Sequence, residues 1–103
     1  MKNPLKVIVV GASGKMGQAL INEISNSPDL LLTGAIDQPS CSTLGMDAGA
    51  FFGIRTDVII NNDFEATIKK GDYLIDFTRP EASMKYLESC IKNNIKYVLG
   101  TTG

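Results

Sequence analysis

Three glycines stand close together near the start of the chain, in the heptapeptide GASGKMG at residues 11–17. They directly follow the apolar run LKVIVV at residues 5–10, where a buried strand is expected to turn into a helix. At such a turn Gly11 can form the tight bend, Gly14 lets the main chain approach an anion, and Gly17 allows close packing of helix on strand. The helix N-terminus, with free amides and a favourable dipole, is therefore predicted to bind phosphate.

A carboxylate follows at the distance that a dinucleotide site requires. The helical pattern stops at NSPD, residues 26–29, and a second apolar run at residues 30–36 leads into Asp37. Asp37 lies about 20 residues beyond Gly17, the spacing at which an acid accepts hydrogen bonds from the adenosine ribose. The alternative is a plain βαβ crossover, in which the glycines serve packing and Asp37 is a turn residue before Pro39.

Composition excludes several classes of protein. The 103 residues suffice for one domain, and a net charge of −1 without a Lys/Arg run argues against a nucleic-acid partner. No run of about 18 apolar residues exists, and the segment after Lys6 is too short for a signal peptide, so we expect no membrane partner and a cytoplasmic location. Because histidine is absent and Cys41 and Cys90 form no CxxC pair, no metal site is expected.

The rest of the chain alternates strands and helices after a loop rich in Gly, Ser and Pro at residues 38–53. That loop either folds over the adenosine end of a ligand or is an insertion without a role. Beyond it the patterns predict strands at residues 56–60, 73–77 and 95–99, and helices at residues 63–70 and 80–93. The alternation predicts a Rossmann-like, doubly wound parallel α/β sheet of strand order 3-2-1-4-5.

Both later helices carry local signals. In the first, Asp63 can accept the first-turn amides, and Gly71 can end the helix in the left-handed conformation. In the second, an apolar stripe is predicted to face the core. Its members are Met84, Leu87, Cys90 and Ile91.

Three phrases of the sequence resemble the N-terminal half of the dihydrodipicolinate reductase family. They are VGASGKMG at residues 10–17, DFTRPE at 76–81 and GTTG at 100–103, and LGMDAG at 44–49 is similar to a loop of that family. The resemblance covers essentially the whole chain. It implies that residues 1–103 are a dinucleotide-binding domain, truncated before the domain that binds substrate and forms the tetramer.

The resemblance also implies a site for NADH or NADPH. The glycine loop would hold the pyrophosphate and Asp37 the ribose, while Phe77 and Thr78 lie along the cofactor. The GTTG phrase would border the nicotinamide, and Thr102 would also reach the substrate carboxylate. The expected cofactor-binding residues are Gly11, Ala12, Ser13, Gly14, Lys15, Met16, Asp37, Gln38, Phe77, Thr78, Gly100, Thr101 and Thr102.

One position departs from the family pattern. Many members place an arginine after the ribose-binding acid, beside the 2′-phosphate of NADP, whereas this chain has the neutral Gln38. Since the Asp37 carboxylate repels a 2′-phosphate, NADH is expected to bind at least as tightly as NADPH. Lys15 either compensates by contacting that phosphate or is simply a solvated lysine at the start of a helix.

By the same resemblance, the full-length enzyme is a homotetramer that transfers hydride to dihydrodipicolinate or its hydroxylated precursor in lysine and diaminopimelate biosynthesis. The family's histidine- and lysine-bearing catalytic motif lies beyond GTTG, so no catalytic residue is assigned and the chain alone is expected to be inactive. Alternatives are a non-catalytic nucleotide sensor and a CoA-binding module. A short-chain dehydrogenase is disfavoured, because Tyr86 is followed four residues later by Cys90 instead of lysine.

Overall fold

A computed structural model describes residues 3–78 and 80–100, with only the backbone of residues 80–82. Its five strands form one parallel sheet in the order β3-β2-β1-β4-β5, which confirms the predicted topology. The elements are β1 (Leu5–Val10), α1 (Lys15–Ser25), β2 (Leu30–Ile36), a 3-10 helix (Ala50–Phe52), β3 (Ile60–Asn61), α2 (Phe64–Ile68), β4 (Tyr73–Asp76), α3 (Pro80–Lys92) and β5 (Lys96–Leu99).

The central strand β1 owes its place to four consecutive apolar residues, which are buried because helices cover both faces of the sheet. Val7 and Val9 contribute to the cluster that contains Ile21 of α1. Ile8 and Val10 contribute to the cluster on the opposite face, which contains Ile68 of α2 and Cys90 of α3. This alternation is the period of two that a strand imposes.

Register aligns the carboxyl ends of the inner strands. Val10 of β1 is level with Ile36 of β2 and with Asp76 of β4. Asp76 in turn is level with Leu99 of β5. The segments that leave these four strands therefore start from one edge, where parallel sheets of this type bind ligands.

The third strand is present, but its predicted start at residue 56 and the predicted end of α2 were wrong. The third strand begins only at Ile60, because Asp57 has a φ of +61° and interrupts extended backbone. Asp63 does cap α2, accepting a hydrogen bond from the Ala66 amide at 3.2 Å. Gly71, however, is not left-handed, and a Cβ there would lie 2.7 Å from the Ile8 side chain, so packing explains the glycine.

The apolar stripe predicted for α3 was also partly wrong. Met84 and Ile91 are 61% and 69% exposed, whereas Cys90 is buried as expected. The helix is turned so that Ser83 and Cys90 face inward. Tyr86 packs on Phe64 of α2 with ring centroids 4.7 Å apart. This contact between the two helices accompanies the difference between the predicted and the observed buried face of α3.

Candidate functional site

The glycine turn after β1 has the geometry that its sequence predicts. Gly11 has a φ of +84°, and its amide and that of Ala12 donate to the carbonyl oxygen of Ile36 at 2.8 and 3.1 Å. The Gly14 amide donates back to the Gly11 carbonyl oxygen at 3.2 Å. The turn is thus tightly bent and tied to the end of β2.

Gly17 and Gly14 are glycines for different reasons. A Cβ on Gly17 would overlap the Gly11 carbonyl oxygen and lie 3.1 Å from the Ala12 Cα, so α1 can pack on the turn only through a glycine. A Cβ on Gly14 would lie 3.6 Å from its nearest neighbour, an ordinary contact. The fold itself therefore leaves room for a side chain at Gly14.

The N-terminus of α1 suits an anion. Its N-cap, Gly14, has no side chain, and the first turn contains no acidic residue. The amides of Lys15, Met16 and Gly17 have no acceptor within the helix, as in the first turn of any α-helix. Lys15 adds a positive charge, and Gly14, Lys15 and Met16 are exposed, whereas Gly17 is buried.

Asp37 lies against the glycine turn. One carboxylate oxygen accepts the Ser13 amide at 2.8 Å, and the other accepts the Gln38 amide at 2.8 Å. The Asp37 amide donates to the Asn61 carbonyl oxygen at 3.0 Å, which ties Asp37 to the end of β3. The structure thus brings together the glycine turn and the acid that the spacing singled out, while Gln38 is exposed.

The loop that starts at residue 38 packs onto the glycine turn. The Ser13 hydroxyl is hydrogen-bonded to the Thr43 hydroxyl, and the Cys41 thiol lies 3.0 Å from Thr43 Oγ1 and 3.5 Å from Ser13 Oγ. The bond with Ser13, and then those with Thr43, lower the pKa of Cys41, against the opposing effects of burial and the Asp37 charge. Sequence reasoning assigned Thr43 and Cys41 no contact, since only the folded loop brings them to Ser13.

Asp47 organises the second half of this loop. Its carboxylate accepts the Gly49 amide at 2.8 Å, the Thr56 amide and hydroxyl at 3.0 and 2.7 Å, and the Asp57 amide at 2.9 Å. Burial raises its pKa, but the hydrogen bonds from Thr56, Gly49 and Asp57 outweigh burial and lower it to about 2. Asp47 thereby fastens residues 47–57 into one unit, which the sequence did not reveal.

On the other side of the glycine turn, Phe77 lies between two glycines. Its amide donates to the Val10 carbonyl oxygen at 3.0 Å, and a Cβ on Gly11 would lie 3.3 Å from its Cβ. A Cβ on Gly100 would overlap the Phe77 ring, with Cδ1 at 2.7 Å. Gly11, Phe77 and Gly100 are therefore neighbours across the ends of β1, β4 and β5.

A buried carboxylate lies at the end of β4, where sequence reasoning assigned no role. Asp76 is 0% exposed and accepts the Thr78 amide at 2.8 Å, the Thr78 hydroxyl at 2.5 Å and the Tyr97 hydroxyl at 2.5 Å. Burial and then the bond to Asp76 raise the pKa of Tyr97 to about 12, although a bond with Ser83 lowers it. An acid two residues before a threonine, at the end of an apolar strand, is the sequence signal for this turn.

Thr101 and Thr102, expected beside the nicotinamide and the substrate, lie outside the described residues. In the part of the chain that is described, no three His, Cys, Asp or Glu side chains are placed to hold a metal ion. No helix there is long and apolar enough to cross a membrane. An open cleft of about 470 Å³ borders the glycine turn, lined by Ser13, Gly14 and Lys15 on one side and by Phe51 and Phe52 on the other.

The parallel sheet, its strand order and the glycine turn after β1 define a Rossmann-like α/β domain. Residues 5–103 match the family described as "Dihydrodipicolinate reductase, N-terminus". The chain therefore belongs to the dihydrodipicolinate reductase family and corresponds to its N-terminal domain.

Relatives and solved structures agree with this membership. The chain is 44% identical over 99 residues to 4-hydroxy-tetrahydrodipicolinate reductase of Paraburkholderia phymatum, covering 96% of this chain and 37% of that protein. The reductase of Neisseria meningitidis serogroup C is 41% identical over 100 residues, with 97% and 37% covered. The chain thus spans less than two fifths of the length of these relatives.

Two solved structures share the fold. A dipicolinate-bound dihydrodipicolinate reductase from Paenisporosarcina sp. TG-14 aligns with a TM-score of 0.77 and 27% identity, over 98% of this chain and 38% of that chain. An aspartate semialdehyde dehydrogenase with NADP from Candida albicans aligns with a TM-score of 0.74 over 97% of this chain and 30% of that chain. At 15% identity, the second likeness concerns the fold alone.

Proposed function

We propose that this chain is the dinucleotide-binding domain of a dihydrodipicolinate reductase, and that NADH or NADPH binds along the carboxyl edge of the sheet. The observation that carries the proposal is the contact between the Asp37 carboxylate and the Ser13 amide at 2.8 Å. It places an acid that can accept ribose hydroxyls beside a glycine turn that can hold a diphosphate. Family membership supplies the reaction in which such a cofactor takes part.

The residues present fit a dinucleotide. Amides at the start of α1 have no helical acceptor, and the room at Gly14 lets a diphosphate come close to the main chain. From there the ligand extends to Asp37 on the β2 side and over β4 and β5 on the other. The residues proposed to contact it are Gly11, Ala12, Ser13, Gly14, Lys15, Met16, Asp37, Gln38, Phe77, Thr78, Gly100, Thr101 and Thr102.

Within the whole enzyme this domain would bind and orient the cofactor, with Thr102 also reaching the substrate carboxylate. When bound, the nicotinamide supplies the hydride for reduction of dihydrodipicolinate or its hydroxylated precursor in lysine and diaminopimelate biosynthesis. We place the acid–base residues and the tetramer contacts in the part of the relatives that this chain does not match. The domain would act in the cytoplasm, without nucleic-acid or membrane partners.

Titration of the chain with NADH tests this proposal. Reduced nicotinamide absorbs at longer wavelengths than tyrosine, and the chain contains no tryptophan, so the fluorescence of bound NADH is read without protein background. Asp37→Asn is expected to weaken NADH binding about tenfold, because the amide replaces one acceptor of the ribose hydroxyls. Asp72→Asn is the matched control, since exposed Asp72 bonds the Lys6 amide near the start of β1. Coenzyme A binding without NADH binding would favour a CoA-binding module instead.

Cofactor preference gives a prediction at Gln38. NADH is expected to bind at least as tightly as NADPH, because Gln38 cannot neutralise a 2′-phosphate beside Asp37. Gln38→Arg is expected to improve NADPH binding about tenfold and leave NADH nearly unchanged, as a guanidinium pairs with phosphate. Calorimetric titration measures both dissociation constants, and Gln38→Leu controls for loss of the amide. A wild-type preference for NADPH above about tenfold contradicts the prediction.

A third prediction concerns turnover. The 103-residue chain contains no histidine, and we propose that the proton-transferring residues belong to the rest of the enzyme. The chain is therefore expected to bind NADH weakly but not to oxidise it when the dihydrodipicolinate precursor is supplied. Absorbance at the NADH band measures the rate, with a full-length relative as the positive control. Reductase activity of the chain by itself would show that this division of roles is wrong.

A further inference from the structure

The Asp76 side chain is buried and forms no ion pair with a described cation. Among the side chains that the structure describes, those of residues 3–78 and 83–100, the single ion pair joins Arg55 and Asp57, which are exposed. Asp76 is instead stabilised by three donors, the Thr78 amide and hydroxyl and the Tyr97 hydroxyl. Burying a carboxylate is unfavourable unless hydrogen bonds compensate it, and here three of them do so. The same three bonds connect Asp76 to two chain segments.

The three bonds fix the turn between β4 and α3. Both Thr78 donors reach the same carboxylate oxygen, so this residue is held at two points. The other oxygen is bonded to Tyr97 on β5. The Gly100 amide donates to the Asp76 carbonyl oxygen at 2.8 Å, which ties the end of β5 to the same residue. Asp76 thus connects the chain segments at the carboxyl ends of two neighbouring strands, β4 and β5.

The carboxyl ends of β4 and β5 lie on one side of the candidate site. In the sheet order, β2 with Asp37 and β4 with Thr78 flank the central strand β1 and its glycine turn. A dinucleotide with its adenosine ribose at Asp37 and its diphosphate on the glycine turn must extend over β4 and β5 with its remaining half. The turn that Asp76 holds is therefore on the nicotinamide side.

We propose that Asp76 is a positioning residue for the nicotinamide half of the dinucleotide. The inference rests on the proposed function, since it assumes that NADH binds along this edge. Asp76 does not touch the cofactor. It holds Thr78 and Gly100, before the cofactor binds, in the arrangement that the bound state requires. Binding of the nicotinamide half then avoids the cost of ordering them.

ADP and NADH together test the inference, because ADP engages only the Asp37 side and the glycine turn. Asp76→Ala is expected to raise the dissociation constant of NADH about tenfold, while that of ADP stays within about twofold. Asp76→Asn retains an oxygen for Thr78 and is expected to recover most of the NADH affinity. Calorimetric titration of both ligands on one preparation gives the ratio of the two constants.

Cys90→Ala is the matched control for a purely structural effect. Cys90 is 0% exposed in the core cluster beside β4, and it makes no hydrogen bond that holds Thr78. Its truncation is expected to lower stability without changing the ratio of NADH to ADP affinity. A ratio shifted equally by Cys90→Ala, or equal weakening of both ligands in Asp76→Ala, would overturn the positioning role.

Tyr97→Phe keeps the test decisive if Asp76→Ala does not fold. It removes one donor from Asp76 and is expected to weaken NADH about threefold with ADP unchanged. Unchanged NADH binding in this variant would overturn the inference. Wild-type chain that binds ADP but not NADH would also overturn it, whereas wild-type chain that binds neither ligand shows that the proposed function itself is wrong.

Discussion

Gly17→Ala is expected to destabilise the domain by about 3 kcal/mol and to abolish NADH binding. The new Cβ would overlap the carbonyl oxygen of Gly11 and lie 3.0 Å from its carbonyl carbon. Both atoms belong to the main chain of the turn, which two hydrogen bonds from the Gly11 and Ala12 amides fix to Ile36 of β2. The clash therefore cannot be relieved by moving a side chain. α1 must shift away from β1, and the amides at its N-terminus move with it.

Urea unfolding followed by far-ultraviolet circular dichroism measures the loss of stability, and NADH titration measures binding. Gly14→Ala is the matched control, because its Cβ would meet its nearest atom at 3.6 Å. That variant is expected to lose at most about 1 kcal/mol of stability as an N-cap change, yet to bind NADH about tenfold more weakly. A Gly17→Ala protein as stable as Gly14→Ala would contradict the packing argument.

Asp47→Asn is expected to lower the free energy of unfolding by about 2 kcal/mol at pH 7. The amide nitrogen of asparagine cannot accept a hydrogen bond, so either the Asp57 amide or the Thr56 and Gly49 donors lose their acceptor. The segment of residues 47–57 then loosens over the glycine turn. Asp57→Asn is the control of equal charge, since its exposed carboxylate makes only a surface pair with Arg55 and should cost less than about 0.5 kcal/mol.

The effect of Asp47 depends on pH with a definite sign. Its pKa is lowered from 3.8 to about 2 in the folded chain, so its carboxylate stabilises the fold fully above pH 3.8. That contribution declines as the pH falls from 3.8 towards 2, because the folded state then takes up the proton that the unfolded state already holds. The stability difference between wild type and Asp47→Asn should therefore shrink over this interval. Urea midpoints measured from pH 7 downwards test this, and a constant difference contradicts it.

Local patterns were sufficient to predict the sheet order and the glycine turn. Apolar runs specify parallel strands, and the glycines at residues 11 and 17 have the conformation and the packing that their positions predict. The position of Asp37 beside this turn followed from spacing along a βαβ unit, because that unit has a nearly fixed geometry. Each of these features depends on residues close in sequence or on a rule of topology.

Features that depend on distant partners could not be predicted. The orientation of α3 about its own axis involves the packing of Tyr86 against Phe64, which lies on another helix. The late start of β3 reflects the left-handed Asp57, whose amide bonds to Asp47 ten residues earlier. Asp76 was part of a recognised phrase, but its bond to Tyr97 crosses from β4 to β5. The sequence contains these residues without indicating which of them meet.

The contact of Phe77 with Gly100 restricts which residues the two positions can hold together. A side chain at position 100 would occupy the space of the Phe77 ring. The main-chain amide of Phe77 in turn donates to Val10 of the central strand. A larger residue at position 100 would therefore need a smaller residue at position 77. A homologue with a changed residue at either place is therefore expected to carry a compensating change at the other.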